Sequence, residues 1–200
     1  MNNDPHHGHL DCGHFIVNYM DENFIRDHGS ASYDDYYFSA ERWDYVEASS
    51  EGHNVVFVNG EEQIPAKLKD QPWKENIGTD IDEFYTSDKQ DYVVMNNLQN
   101  AYPGKEMKSW HRKIVLEKPT LAVIVDRIGS EKNADIRSRL HPGGAAELHE
   151  NYYTISSDKA VMAVVPFSDL QVNMETGRHG SLSANERSNV ECIPYVDSFT

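Results

Sequence analysis

Two apolar segments near the middle of the chain, residues 112–117 and 121–128, are separated only by Lys118-Pro119-Thr120. Neither shows the 3.6-residue periodicity of an amphipathic helix, and no other stretch does so over a convincing length. We therefore interpret both segments as strands. The second is almost continuously apolar, which predicts a strand that is covered on both faces.

Shorter segments of this kind recur along the chain with turn residues between them. Asn59-Gly60 and Pro142-Gly143-Gly144 are typical turn signals. Short strands at intervals of about 8–12 residues predict an all-β fold, an antiparallel β-sandwich with little helix and at least eight strands, in a single domain over residues 1–200. The other strands are predicted at residues 14–19, 24–27, 55–58, 92–95, 136–141, 152–156, 160–165 and 191–193.

Charge and composition restrict the classes of partner. The net charge of −15 argues against a nucleic-acid-binding protein, although a local cleft can still attract an anion. No apolar stretch reaches the length of a membrane span, and no signal-peptide pattern opens the chain. Cys12 and Cys192 are the only cysteines, so one disulfide is possible, but the sequence leaves their pairing open.

Histidines are concentrated at the start of the chain, with four of the ten within residues 5–15. Imidazoles at this density, together with nearby carboxylates, favour metal ligation or proton transfer. A His-x-His pair in a loop is nevertheless more often solvated polar surface than a functional site. Residue types and spacing alone leave both interpretations open.

An ordered set of motifs extends over residues 5–141. The motifs are, in order, His7-x-His9-x-Asp11-x-Gly13-x-Phe15, Asp27-x-Gly29, His53-Asn54-Val55-Val56-x-Val58-x-Gly60 and Trp110-x-Arg112-Lys113-Ile114-Val115-Leu116. This set resembles the C-terminal β-sandwich region of the heparinase II/III-like polysaccharide lyases. Because that family places a helical toroid of several hundred residues before the sandwich, the resemblance implies that this chain is the C-terminal part of a longer lyase.

The resemblance also implies a metal site. His9, Asp27 and His53 correspond to the family's metal-binding set, and two neutral imidazoles with one carboxylate suit a structural Zn²⁺. His9 lies too far upstream to meet Asp27 along a straight strand, because each residue advances about 3.3 Å. The histidine segment must therefore curl back as a loop, for which Gly8 and Gly13 are suitably placed.

A catalytic and a substrate-binding role follow from the same resemblance. His7 corresponds to a catalytic histidine that takes or supplies a proton during β-elimination. Tyr33 and Tyr37 are expected to line the substrate groove. His6 and His14 are expected to be bystanders, and the family more usually has a small residue at the position of His14.

The function implied is that of a lyase domain for a uronic-acid-containing polysaccharide, located in the periplasm or secreted and inactive without its toroid. The alternative is a non-catalytic module that binds acidic glycan or packs against a toroid. We expect Arg112 to be structural, and Arg137 and Arg139 to lie on a solvated strand face.

Overall fold

The computed structural model describes residues 7–31, 33–65, 79–102, 104, 107–130, 133–182 and 190–200. Within them the chain forms thirteen strands and three short 3₁₀ turns, at Ala40–Asp44, Ser50–Gly52 and Leu98–Ala101, with no α-helix. The strands are β1 (Val17–Tyr19), β2 (Glu22–Ile25), β3 (Val56–Val58), β4 (Asp80–Thr86), β5 (Gln90–Asn96), β6 (Met107–Glu117), β7 (Leu121–Ser130), β8 (Ile136–Leu140), β9 (Ala145–Leu148), β10 (Tyr153–Ser156), β11 (Val161–Val164), β12 (Asn173–Leu182) and β13 (Val190–Phe199).

The strands form four antiparallel sheets. The two larger sheets have four strands each, in the orders β4-β5-β6-β7 and β12-β13-β8-β3. The two smaller sheets are the hairpin β1-β2 and the three-stranded β11-β10-β9. This arrangement confirms the predicted all-β antiparallel sandwich. No helix in the described ranges has the length and apolar character needed to cross a membrane.

The main hydrophobic core lies between the two four-stranded sheets. Val55–Val58 enter it from one side, and Met95, Met107 and Trp110 enter it from the other. Trp110 is completely buried, and burying large apolar side chains of this kind stabilises a fold by roughly 1.5–3 kcal/mol each. A second cluster joins the smaller sheets to β13 and contains Phe24, Ile25, Tyr153, Ile155 and Val196.

Strand β7 differs from its prediction. It pairs only with β6 and forms one edge of its sheet, and Leu121 and Val125 are 55% and 38% exposed. Ile128 packs on the main core from the opposite face. The expectation of coverage on both faces was therefore wrong, because the outward-facing positions of this edge strand are apolar as well as the inward-facing ones.

Candidate functional site

The segment that carries the first histidines forms a loop before β1. Gly13 has a φ of +85°, a left-handed conformation that glycine adopts easily. A Cβ atom there would lie 3.1 Å from a methyl of Leu98 and 3.2 Å from the indole of Trp110. The loop thus turns directly over the main core. This is the bend in the chain that His9 needs in order to approach Asp27.

Buried polar side chains hold the backbone of this loop. They reach it from the Ala40–Asp44 turn, from the Ser50–Gly52 turn, from residue 63 and from β6. Their bonds are Arg42 Nη2 to Gly8 O (2.8 Å), Ser50 Oγ to Leu10 O (3.0 Å), Gln63 Nε2 to Cys12 O (2.8 Å) and Arg112 Nη1 to Gly13 O (2.7 Å). The first three bonds were not predicted from the sequence, because each partner lies at least 34 residues away in sequence.

Three side chains converge beside the loop. Asp27 follows β2, and His53 ends the Ser50–Gly52 turn. One ligand atom from each of His14, Asp27 and His53 lies within 4.8 Å of the others. Asp27 Oδ2 is 3.1 Å from His14 Nε2 and 3.5 Å from His53 Nδ1. His14, which we expected to be a bystander, therefore lies in direct contact with the carboxylate.

His9 borders this cluster. Its ring stacks on that of His53 with 5.1 Å between centroids, and its Nε2 lies 3.0 Å from the hydroxyl of Tyr37. Burial and the neighbouring His53 lower the pKa of His9 to about 4. The imidazole is therefore neutral near pH 7, the form that can donate a lone pair to a metal ion.

Asp27 is held as a carboxylate. Burial by itself would raise its pKa, but contacts from His14 and His53 and the backbone N–H of Gly29 outweigh burial and hold the pKa well below its usual range. The Gly29 N–H donates to Oδ1 at 2.5 Å. Asp27 consequently presents a full negative charge among imidazoles.

The donor set fits a zinc ion. His53 is completely buried, and neither of its ring nitrogens makes a well-formed hydrogen bond within the described part of the chain. A buried polar atom without a partner costs about 1–3 kcal/mol, and coordination to a cation would remove that cost for one nitrogen. Neutral imidazoles around a carboxylate are typical zinc ligands. The residues present are thus suited to the implied metal.

Exposed aromatic rings lie beside His7. His7 is exposed and meets Phe38 edge to face at 6.0 Å between centroids. Tyr33 and Phe38 are 63% and 54% exposed, and their rings lie 5.2 Å apart. We call Tyr33 and Phe38 the aromatic patch. Phe38 was not predicted as a site residue, and His6 lies outside the described residues.

Tyr37 differs from its expected position in a groove. Its side chain is 1% exposed, with the Arg42 guanidinium 4.1 Å from the ring centroid on one side and Tyr33 stacked at 5.1 Å. The physical reason is that Tyr37 belongs to a small buried cluster with Tyr45 and Ala48. Tyr37 therefore contacts His9 from below the surface and supports Tyr33.

A second histidine pair lies near Asp27. The rings of His28 and His141 are perpendicular, with centroids 4.7 Å apart. Burial is the main cause that lowers the pKa of His28 to about 4 and that of His141 to about 3. His28 Nδ1 accepts from Arg26, and His141 Nδ1 lies 3.0 Å from the carbonyl of Pro194. Spacing in the sequence does not connect these two residues.

The two arginines of β8 have different environments. Arg137 forms exposed ion pairs with Asp135 and Glu175, in agreement with a solvated face. Arg139 is 7% exposed and forms a bidentate pair with Asp197 at 2.8 and 2.7 Å. The expectation for Arg139 was wrong, because β13 pairs with this part of β8 and brings a buried carboxylate opposite it.

Comparison with known proteins gives a family for the chain. Residues 2–191 match the model described as "Heparinase II/III-like, C-terminal". No curated protein matches the chain significantly. A heparan sulfate lyase from Pedobacter heparinus superposes with a TM-score of 0.71 at 11% identity and is covered over 28% of its length by 97% of this chain.

Two structures of heparinase III are also similar. One has a TM-score of 0.71 at 12% identity over 96% of this chain, and the other has a TM-score of 0.72 at 15% identity over 97% of it. This chain spans only 28% of the length of either protein. At these identities the similarity establishes the fold alone.

Proposed function

Because this chain belongs to the heparinase II/III-like family, in its C-terminal region, we propose that it is the β-sandwich part of a polysaccharide lyase. The observation that carries the proposal is the loop of His7 and His9, which buried anchors fold against Asp27 and His53. Such a site combines an exposed imidazole with a donor set for a cation in which His53 is completely buried. The substrate class would be a uronic-acid-containing polysaccharide.

The reaction proposed is β-elimination beside a uronic acid. A base removes the proton at C5, the electron pair forms the C4–C5 double bond, and the C4–O bond to the leaving sugar breaks. The leaving oxygen takes a proton from an acid. His7, an exposed imidazole, would take or supply one of these protons.

We propose that His9, Asp27 and His53 hold one structural Zn²⁺. When bound, the ion would tie together the histidine loop, the end of β2 and the start of β3. His9 is neutral and stacked on His53, and Asp27 is ionised. The zinc therefore has a role in stability and in the placement of His7, without acting on the substrate.

The substrate would pass over the aromatic patch. Tyr33 offers an exposed ring on which a sugar can stack and a hydroxyl that can hydrogen-bond to it. Tyr37 would support Tyr33 from behind, through their stacking contact at 5.1 Å. The buried Arg42 guanidinium over Tyr37 keeps both rings in place.

The remaining parts of the enzyme would lie on a helical toroid. The chain covers 28% of the length of the similar lyases, which supports a longer protein whose C-terminal domain is this single sandwich. The toroid would supply the other proton-transfer group and the groups that neutralise the uronate. We propose a periplasmic or secreted location, which the same family assignment supports.

The test is an assay of the full-length protein that contains this chain. Incubation with heparan sulfate, hyaluronan or alginate should generate unsaturated uronate products, measured by their ultraviolet absorbance. The 200-residue chain alone should generate none, because base, acid and charge stabilisation act as one unit. Saturable glycan binding by the full-length protein without any rise in absorbance would instead identify a non-catalytic glycan-binding module.

A further inference from the structure

The hydrogen bonds of His14 define its tautomer. Its Nδ1 accepts from the backbone N–H of Asn54 at 2.9 Å. Because a peptide N–H can only donate, Nδ1 must carry the lone pair, and the single N–H of the neutral imidazole is on Nε2. That Nε2 is the atom 3.1 Å from Asp27 Oδ2.

We propose that His14 is a positioning residue that presents Nε2–H to Asp27, and that it is not a metal ligand in spite of its place in the cluster. To coordinate an ion through Nε2, His14 would have to give up its only N–H proton and become an imidazolate. A backbone donor at Nδ1 opposes any shift of that proton within the ring. The inference rests on the proposed zinc site of His9, Asp27 and His53.

The donor to His14 is itself held in place. The side chain of Asn54 is completely buried. Its Nδ2 donates to the carbonyls of Phe15 (2.7 Å) and Arg26 (3.0 Å), and its Oδ1 accepts from the backbone N–H of His141 at 2.7 Å. These three bonds fix the strand start, so the backbone N–H of Asn54 has a fixed direction toward His14.

Asp27 needs such support because its side chain is 35% exposed. The N–H of Gly29 donates to Oδ1, and His14 Nε2 lies 3.1 Å from Oδ2 without a well-formed hydrogen bond, so the two groups flank the carboxylate. Hydrogen bonds that orient a ligating carboxylate commonly change metal affinity by 10- to 100-fold.

His9 is free to supply the second imidazole. The hydroxyl of Tyr37 can accept from its Nε2–H, which leaves the lone pair on Nδ1 for a cation. In the proposed zinc site, His9 and His53 thus have ring lone pairs available, and His14 completes the site as a donor.

The first measurement is zinc and cobalt binding by three variants of this chain. His14→Gln retains an N–H donor, and we expect one zinc per chain with an affinity within about threefold of the parent. His14→Leu removes the donor, and we expect the affinity to fall about 10- to 100-fold with one ion still bound. The Co²⁺ absorption spectrum should be the same in both, whereas His9→Ala should change it. A changed spectrum in His14→Gln with an unchanged one in His9→Ala would overturn the proposal.

The second measurement reads the tautomer in metal-free protein by long-range ¹H–¹⁵N correlation. We expect the His14 proton on Nε2 and a shift of its resonance in Asp27→Asn. A proton on Nδ1 would overturn the inference. Failure of the parent chain to bind zinc would remove the proposed metal site, while the tautomer and its response to Asp27→Asn would still decide whether His14 donates to Asp27.

Discussion

Arg112 Nη1 donates to the carbonyl oxygen of Gly13 at 2.7 Å, although 99 residues separate the two in sequence. The same nitrogen donates to Asn54 O at 3.0 Å. The guanidinium also forms a bidentate pair with Asp126, with both distances 2.8 Å. One buried cation therefore connects β6 and β7 to the histidine loop and to the residues before β3, so the site depends directly on the sandwich.

Replacing Arg112 with lysine, a shorter cation with one ammonium group, should destabilise both the sandwich and the histidine loop. Arg112 is 1% exposed, and lysine cannot satisfy Asp126 bidentately while reaching Gly13 and Asn54. We expect Arg112→Lys to lower the free energy of unfolding by about 3–5 kcal/mol, measured by urea denaturation. Arg137→Lys on β8, where the arginine side chain is 31% exposed, should cost less than about 1 kcal/mol. Equal effects at the two positions would contradict this role.

Steric crowding at Gly52 gives a second prediction. A Cβ atom there would lie 2.3 Å from the carbonyl oxygen of Val46, so Gly52→Ala must displace the turn that ends at His53. We expect a loss of about 1–3 kcal/mol in unfolding free energy together with weaker zinc binding. Gly60, with φ +74° and open space around it, provides the control. Gly60→Ala should cost about 1–2 kcal/mol through backbone strain and leave zinc binding unchanged.

Apolar patterning revealed the strands that form the core. Residues 55–58 and 112–117 correspond to β3 and the second half of β6, which carry core residues such as Val56 and Ile114. Strand β4 escaped prediction because all seven of its residues are exposed and it is held by backbone pairing with β5. Strand β12 likewise pairs along its whole length with β13, and its polar, glycine-containing sequence has no apolar alternation.

The site was only partly predictable, for a different reason. The family motifs predicted His9, Asp27 and His53 as metal ligands. No motif distinguishes a metal ligand from a side chain that donates a hydrogen bond to a ligand. The role of His14 depends on Asn54, 40 residues away, and on Asp27. Arg42 and Gln63 act through backbone carbonyls of the loop. Such contacts follow from how the turns pack on the sheet, which residue types and spacing do not specify.

Removal of zinc should lower thermal stability. An ion that binds only the folded chain adds about 2.7 kcal/mol when its free concentration is 100 times the Kd. For a chain of this size, that corresponds to a shift of about 5–10 °C in Tm between zinc-loaded and chelator-treated protein. His53→Ala should abolish the difference, and His111→Ala on the exposed face of β6 should retain it. A zinc-dependent shift that persists in His53→Ala would exclude His53 as a ligand.

The buried His141 should make the metal-free protein acid-sensitive. Its pKa falls from 6.5 to about 3 on folding, mainly through burial and the nearby His28. The unfolded chain therefore takes up a proton first as the pH drops, so the stability present above pH 6.5 is lost between about pH 6.5 and 3. Each such group contributes up to about 1.4 kcal/mol per pH unit.

The variant His141→Asn tests this assignment. Its amide N–H can still donate to the carbonyl of Pro194, as Nδ1 of His141 does, but it does not titrate. We expect urea denaturation between pH 7.5 and 5 to give a slope that is shallower, by up to about 1.4 kcal/mol per pH unit at the acid end of this range. His111→Asn controls for the loss of one imidazole from an exposed position. An unaltered slope in His141→Asn would show that this residue does not cause the acid sensitivity.

His7 provides the most direct test of the proposed chemistry. It is exposed beside Phe38, and the anchor from Arg42 to Gly8 holds the adjacent backbone. In the full-length protein, His7→Ala should lower turnover by about 10²- to 10⁴-fold, the usual contribution of a general acid or base. Zinc content and Tm should stay unchanged, because His7 belongs to neither the ligand set nor the core. His111→Ala should leave turnover at the parental level. Unchanged turnover in His7→Ala would remove this residue from the mechanism, whereas loss of zinc along with activity would assign it to the metal site instead.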